Sequence, residues 1–160
     1  MTAISKIRFF LIITLFAVSV ACNKKNDVIP DVIIDFRLDI SDPRFINLYS
    51  PGESVYVNGN TNNDGSFAAG YSGNGIIVTR GVVEAEFYAY DRTCPYDYAA
   101  NGASVAVNID ATGFAKAVCP QCKTTYELIS FGTPASGVGR YPLKNYKTSF
   151  DGRWVRVWNN

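Results

Sequence analysis

Short segments in which apolar and polar residues alternate, separated by turn residues, constrain the fold of this chain more than any other feature. Between residues 32 and 40, every second residue from Ile34 onward is apolar, which is typical of a strand with one buried face. Asp151-Gly152 separates two further strand-like segments and is the strongest hairpin signal in the chain. A short helix is expected from Ser41-Asp42-Pro43 to about Leu48, but no stretch shows a sustained helical period. The sequence therefore predicts an all-β fold of about nine short strands, arranged as stacked antiparallel sheets or a small barrel.

The N-terminal segment has the composition of an export signal. Lys6 and Arg8 precede an apolar run over residues 9–20, which is shorter than the roughly 20 residues that a membrane-spanning helix needs. The run ends in Ser19-Val20-Ala21, which places small residues where a signal peptidase cuts, and Cys22 follows at once. This order of residues is typical of a bacterial lipoprotein signal.

The signal divides the chain into three parts. We expect a lipoprotein signal peptide over residues 1–21, a lipidated Cys22 with a polar tether through residue 31, and one β domain over residues 32–160. An ordinary signal peptide that ends near a cysteine is the alternative. The predicted location is the cell envelope, on the periplasmic or extracellular face, with the lipid on Cys22 holding the protein to the membrane.

The lack of histidine and the near-equal numbers of acidic and basic residues argue against several functions. The chain contains no histidine, which excludes a Ser-His-Asp or Cys-His nucleophile pair and a histidine-bound zinc or haem. Of the 15 basic residues, Lys6 and Arg8 leave with the signal peptide, so 13 basic residues face 14 acidic ones and the mature net charge is −1. This balance argues against nucleic acid as a partner. Lys144 is expected to be solvated, and Arg92 is expected to form an ion pair with the adjacent Asp91.

Three cysteines remain in the predicted β domain, in two turns of similar composition. Cys94-Pro95-Tyr96 follows one predicted strand, and Cys119-Pro120-Gln121-Cys122 follows another. A glycine-rich loop, Gly137–Leu143, comes third along the chain. Paired turns of this kind hold a metal ion or a cluster between hairpin tips in β proteins.

These residues resemble the Rieske domain family, which binds a 2Fe-2S cluster through Cys-x-His in one loop and Cys-x-x-His in a second. The resemblance implies a cluster-binding-type subdomain over about residues 92–142. Cys94 and Cys119 occupy the family's cysteine positions, whereas Tyr96 and Cys122 occupy its histidine positions. Half of the ligand set is therefore altered, and the usual histidine-ligated centre cannot form.

The resemblance leaves three interpretations of the cysteines. In the first, no cofactor is bound and two thiols form a disulfide. Cys94–Cys119 is favoured over Cys119–Cys122, because the family places Cys94 and Cys119 on one iron. In the second, the three cysteines bind zinc, with Tyr96, Asp97 or water as the fourth ligand. In the third, a 2Fe-2S cluster is held by the three cysteines and one oxygen ligand.

The sequence predicts a function without catalysis. The favoured interpretation is an envelope lipoprotein whose degenerate Rieske-like domain is a structural or interaction module without a cofactor. Its expected partners are the membrane, through lipidated Cys22, and an envelope protein. Electron transfer through an unusual cysteine-rich 2Fe-2S centre and a zinc-stabilised binding module are the alternatives. An enzyme is not expected, because the oxygenases of the family keep their active iron in a separate domain.

Overall fold

The computed structural model describes residues 28–61 and 67–159. The predicted signal peptide, Cys22 and most of the tether lie outside these residues, so the lipid anchor and the location stay predictions. Within the described ranges, no helix has the length and apolar character needed to cross a membrane.

The strands form two antiparallel sheets. The larger contains β1 (Asp35–Asp39), β2 (Ser54–Val57), β3 (Ile76–Arg80), β4 (Phe87–Asp91), β9 (Asn145–Phe150) and β10 (Trp154–Trp158), in the order β1-β10-β9-β4-β3-β2. The smaller contains β5 (Asn108–Ile109), β6 (Lys116–Val118), β7 (Thr125–Glu127) and β8 (Thr133–Ser136), paired in chain order. The other elements are 3-10 helices at Pro43–Tyr49 and Tyr71–Gly73 and the α-helix α1 at Pro95–Asn101. The prediction of an all-β fold of antiparallel sheets is confirmed, and α1 is an addition to it.

The alternation in the first strand sets its place in the larger sheet. Phe36 lies opposite Val157 and Leu38 lies opposite Val155 in the pairing of β1 with β10. All four side chains are buried in the main hydrophobic core. A one-residue slip would turn these side chains to the outer face, and each buried apolar side chain contributes about 1.5–3 kcal/mol, so the register is strongly fixed.

The predicted hairpin at Asp151-Gly152 is present between β9 and β10. The Asp151 carboxylate accepts hydrogen bonds from the backbone N–H groups of Arg153 and Trp154, at 3.0 and 2.7 Å. Gly152 has a φ of 103°, a conformation that disfavours residues with a side chain. The short helix predicted after Asp42 is also present, as a 3-10 helix whose first turn is capped by the Asp42 side chain.

A second hydrophobic core lies under the smaller sheet and contains Cys94, Cys119, Tyr126 and Leu128. Tyr90, on β4 of the larger sheet, also belongs to this core and is 1 % exposed. Its hydroxyl donates to the backbone carbonyl of Leu128 over 2.6 Å. This buried bond joins the two sheets at the base of the cysteine loops.

Lys144 is buried, so the expectation that it is solvated is wrong. Its ammonium Nζ donates to the carbonyl of Ile29 over 2.7 Å and lies 2.6 Å from the Asp31 carboxylate. A buried lysine needs such partners, because an unpaired charge is costly to remove from water. The pairing fastens the end of the predicted tether to the residue that precedes β9.

Candidate metal centre

The loop that carries Cys94 is held by a buried carboxylate at the end of β4. Asp91 is fully buried, and its Oδ1 accepts from the backbone N–H of Thr93 over 2.8 Å. Its Oδ2 accepts from the Tyr71 backbone N–H over 2.7 Å and from the Tyr146 hydroxyl over 2.9 Å. Three hydrogen bonds compensate for burying the charge of this carboxylate. The bond to Thr93 also fixes the backbone at the residue before Cys94.

Asp91 and Arg92 do not form the expected ion pair; the described residues form five others. The Arg92 guanidinium instead donates to the carbonyls of Val107 and Asn74, at 3.0 and 3.1 Å. It also lies 4.1 Å over the ring of Tyr56, a cation–π contact. Adjacent residues in an extended chain point to opposite faces, which explains why the Asp91 and Arg92 side chains do not meet.

Cys94 is followed directly by α1, which the sequence analysis did not predict. Pro95 occupies the first turn, where its missing N–H costs nothing, and Gly102 ends the helix with a φ of 72°. Asp97 lies in the first helical turn and is 3 % exposed. The helix therefore turns this carboxylate back toward the cysteines.

The loop that carries Cys119 and Cys122 is a tight turn at the end of β6. The N–H of Cys119 donates to the carbonyl of Thr124 over 2.9 Å, and the N–H of Lys123 donates to the carbonyl of Cys119 over 3.1 Å. Lys123 has a φ of 61°, which is rare for a residue with a side chain. Its ammonium donates to the Pro120 carbonyl over 2.6 Å, which bridges the turn.

The third, glycine-rich loop packs against the second. The backbone N–H of Gly139 donates to the Thr124 hydroxyl over 2.8 Å. Gly137 has a φ of 91°, and a Cβ there would stand 2.7 Å from the Thr124 Cα, so only glycine fits. The two cysteine loops with a third loop against them are the arrangement that the Rieske resemblance implied.

The structure brings four donor atoms together between these loops. They are the sulfurs of Cys94, Cys119 and Cys122 and an oxygen of Asp97, all within 4.8 Å of one another. The Cys94 and Cys122 sulfurs are 3.6 Å apart, and the Cys119 thiol donates to Asp97 Oδ2 over 2.9 Å. Tyr96 packs against the second core instead, so the oxygen in this group comes from Asp97, the alternative named with it.

Neither disulfide considered in the sequence analysis is present among the described cysteines. All three thiols are free. Cys119 points its thiol at Asp97, and the sulfur nearest to Cys94 in the hydrogen-bond network is that of Cys122, in a pairing that the sequence analysis did not consider.

The surroundings of the Cys94 and Cys119 thiols favour their protonated forms when no metal is bound. Burial raises the pKa of the Cys94 thiol to about 11, although the Tyr126 hydroxyl, 3.3 Å from its sulfur, partly offsets this. Burial and the neighbouring Asp97 carboxylate raise the pKa of the Cys119 thiol. The Cys122 sulfur contacts the Thr124 hydroxyl over 3.2 Å. A bound cation would reverse this preference, since metal ions bind the thiolate form.

The size of the group distinguishes one ion from a two-iron cluster. Sulfurs bound to one tetrahedral zinc at about 2.3 Å stand roughly 3.8 Å apart, close to the 3.6 Å between Cys94 and Cys122. A 2Fe-2S cluster divides its four ligands between two irons, so ligands on different irons stand farther apart than ligands of one ion. Four donor atoms within 4.8 Å of one another have the spacing of ligands that share one ion.

Comparison with known proteins finds similarity to solved structures but none to family models or curated sequences. No protein-family model matches this chain, and no curated protein matches it. Several solved structures are similar to it, including the following two. The ferredoxin of carbazole 1,9a-dioxygenase from Nocardioides aromaticivorans IC177 is 14 % identical, with a TM-score of 0.47 over 81 % of this chain and 100 % of that one. A chain of the complex of reduced oxygenase and oxidized ferredoxin in carbazole 1,9a-dioxygenase is 21 % identical, with a TM-score of 0.49 over 79 % of this chain and 94 % of that one.

Two contributors to the centre escaped the sequence analysis as functional residues. They are Tyr126, whose hydroxyl contacts the Cys94 sulfur, and Thr124, whose hydroxyl contacts the Cys122 sulfur. The alternation of β7 does predict a buried Tyr126, since it is the apolar residue between the polar Thr125 and Glu127, and the structure buries it. Its contact with Cys94 depends on the packing of two loops, which no local pattern specifies.

Proposed function

We propose that this protein is a lipid-anchored envelope module built around one zinc ion, with Cys94, Asp97, Cys119 and Cys122 as the four ligands. The observation that carries the proposal is the convergence of three sulfurs and one carboxylate oxygen within 4.8 Å. Cys94 and Cys119 are fully buried and Asp97 is nearly so. Zinc suits this set, because it accepts thiolates and carboxylates in a tetrahedron.

The ligand set supports a structural role for the ion rather than a catalytic one. Catalytic zinc keeps one position open for water or substrate, whereas four protein ligands fill a tetrahedron. The chain also has no histidine to act as a general base beside the ion. When bound, the ion would neutralise the thiolates and contribute free energy to folding. The domain would then present a rigid surface at the envelope to a protein partner.

Metal analysis of the purified full chain tests the ligand set. We expect one zinc per chain, no acid-labile sulfide and no visible absorption. Replacing zinc with Co²⁺ should give the intense visible bands of a tetrahedral thiolate site. Iron with sulfide at equal stoichiometry would refute the zinc assignment and favour electron transfer.

A matched pair of variants tests the carboxylate ligand. Asp97→Asn should weaken zinc binding, measured by competition with a chromophoric chelator, and should change the Co²⁺ spectrum. Asp110→Asn is the control, because Asp110 is a carboxylate on an exposed turn and is not one of the four proposed ligands. Equal zinc affinity in both variants would remove Asp97 from the ligand set.

The anchor is tested separately from the metal. We expect the wild-type chain to incorporate labelled fatty acid and to partition with membranes. Cys22→Ser should lose both properties while the zinc content per chain is unchanged. Fatty-acid incorporation by Cys22→Ser would contradict the lipid assignment.

A further inference from the structure

We propose that the centre is redox-gated: a disulfide oxidant joins Cys94 to Cys122, and the zinc ion is released. This inference rests on the proposed zinc site and adds its regulation. Of the three sulfurs, Cys94 and Cys122 are in direct contact at 3.6 Å. They belong to different loops, 28 residues apart in the chain, so the new bond would join the two loops that hold the ion.

The surroundings of each sulfur assign its part in the reaction. Cys122 is partly exposed, whereas Cys94 and Cys119 are fully buried. Cys122 is therefore the thiolate that reaches a dissolved oxidant. Cys119 is directed at the Asp97 carboxylate, 2.9 Å away, so Cys94 is the sulfur in position to react second.

The turn at Cys122 has room for the movement that bond formation requires. The sulfurs must approach from 3.6 Å to about 2.0 Å, the length of a disulfide bond. Pro120, Gln121 and Lys123 on this turn are exposed to solvent. Cys94 opens α1 and is held by its own N–H, which donates to the Val105 carbonyl over 2.8 Å. Because the turn faces solvent and Cys94 is fully buried, we expect most of the movement in the turn.

The chemistry is thiol–disulfide exchange and balances without another reactant. The Cys122 thiolate attacks one sulfur of the oxidant disulfide, and the other sulfur leaves as a thiolate. The Cys94 thiolate then attacks the Cys122 sulfur of this mixed disulfide and expels the second thiolate. The two cysteines lose two electrons, the oxidant gains two, and the expelled thiolates take protons from water.

Zinc leaves because its ligand set is halved. A disulfide sulfur is no longer a thiolate and does not bind zinc. Only Cys119 and Asp97 remain, and two ligands do not hold an ion against water and competing thiols. The envelope is a compartment where disulfides persist, which makes such an oxidant available there.

The test uses the full chain in detergent, reduced, loaded with zinc and then treated with oxidised glutathione. A chromophoric indicator should record one zinc released per chain. Proteolysis and mass spectrometry without reductant should identify one peptide pair joined through Cys94 and Cys122. Reductant with added zinc should restore the metal-bound form. A disulfide that includes Cys119, or zinc retained in the oxidised chain, overturns the proposal.

Two variants separate this inference from the zinc assignment. Cys119→Ser should bind zinc poorly and still form the Cys94–Cys122 disulfide. Cys122→Ser should also bind zinc poorly and, unlike Cys119→Ser, should form no intramolecular disulfide with oxidised glutathione. The proposed function fails if the reduced wild-type chain binds no zinc. The inference alone fails if that chain binds one zinc and oxidised glutathione leaves Cys94 and Cys122 unlinked.

Discussion

Replacing Asp91 with Asn should test how much the cysteine loops depend on one buried carboxylate. In the wild type, Oδ2 accepts from the Tyr71 N–H and from the Tyr146 hydroxyl, while Oδ1 accepts from the Thr93 N–H. Asparagine can keep the bond to Thr93, but it turns an NH₂ group toward the other two donors. The Tyr71 N–H then loses its acceptor.

The expected cost follows from the number and kind of bonds lost. A hydrogen bond to a charged group contributes about 1.5–3 kcal/mol, and a buried donor without a partner costs about 1–3 kcal/mol. The Tyr146 hydroxyl can rotate and accept from the new amide, so one bond is lost outright and two are weakened. We expect Asp91→Asn to lower the free energy of unfolding by about 3–5 kcal/mol.

Urea denaturation followed by tryptophan fluorescence measures this loss, because Trp154 and Trp158 lie on β10 of the larger sheet. Asp110→Asn is the matched control. Asp110 also accepts from the backbone N–H two residues on, over 2.9 Å, but on an exposed turn, so its loss should stay within about 0.5 kcal/mol. Equal losses in the two variants would refute the claim that the buried carboxylate anchors the first cysteine loop.

Three further predictions concern other parts of the molecule. Tyr126→Phe should weaken zinc binding about 10-fold, measured by chelator competition, because the hydroxyl 3.3 Å from the Cys94 sulfur is lost. The urea stability of the zinc-free chain should be nearly unchanged. Lys144→Met should speed proteolytic cleavage of the tether with little change in the urea midpoint, and an unchanged cleavage rate would contradict the pairing. The Arg153 guanidinium holds the pKa of the Asp39 carboxyl well below its ordinary value of 3.8. This pair therefore stabilises the fold above about pH 4, and the stabilisation is lost as the pH falls through the lowered pKa. Arg153→Ala should make the free energy of unfolding, measured by urea denaturation, depend less on pH below about 4.

Features set by neighbours in the chain could be predicted from the sequence. The period of two in β1 follows from burial of one sheet face, and Asp151-Gly152 specifies its hairpin by local conformation and hydrogen bonding. The cap by Asp42 is equally local, since the carboxylate reaches an N–H two residues away. These elements give the all-β class and most of the larger sheet.

Features that depend on contacts between distant segments could not be predicted in this way. Asp97 reaches the sulfurs because α1 starts at Pro95, and a seven-residue helix between strands shows no sustained period. Lys144 is buried because residues 29–31 return to pack on it, more than a hundred residues along the chain. The Rieske resemblance located the cysteine loops, but it did not identify the fourth ligand, because this chain lacks the family's histidines. Only the three-dimensional arrangement places Asp97 beside the sulfurs.

The burial of Lys144 limits how far the folded domain can stand from a membrane. If Cys22 carries the lipid, as proposed, about seven residue steps separate it from Ile29, where the chain is already fastened to the fold. Seven extended residues span about 25 Å at most. The domain would therefore stay close to the lipid headgroups, and a soluble partner would have to approach the bilayer surface to meet it. Releasing residues 29–31 from the fold would lengthen the tether without altering any residue of the metal centre.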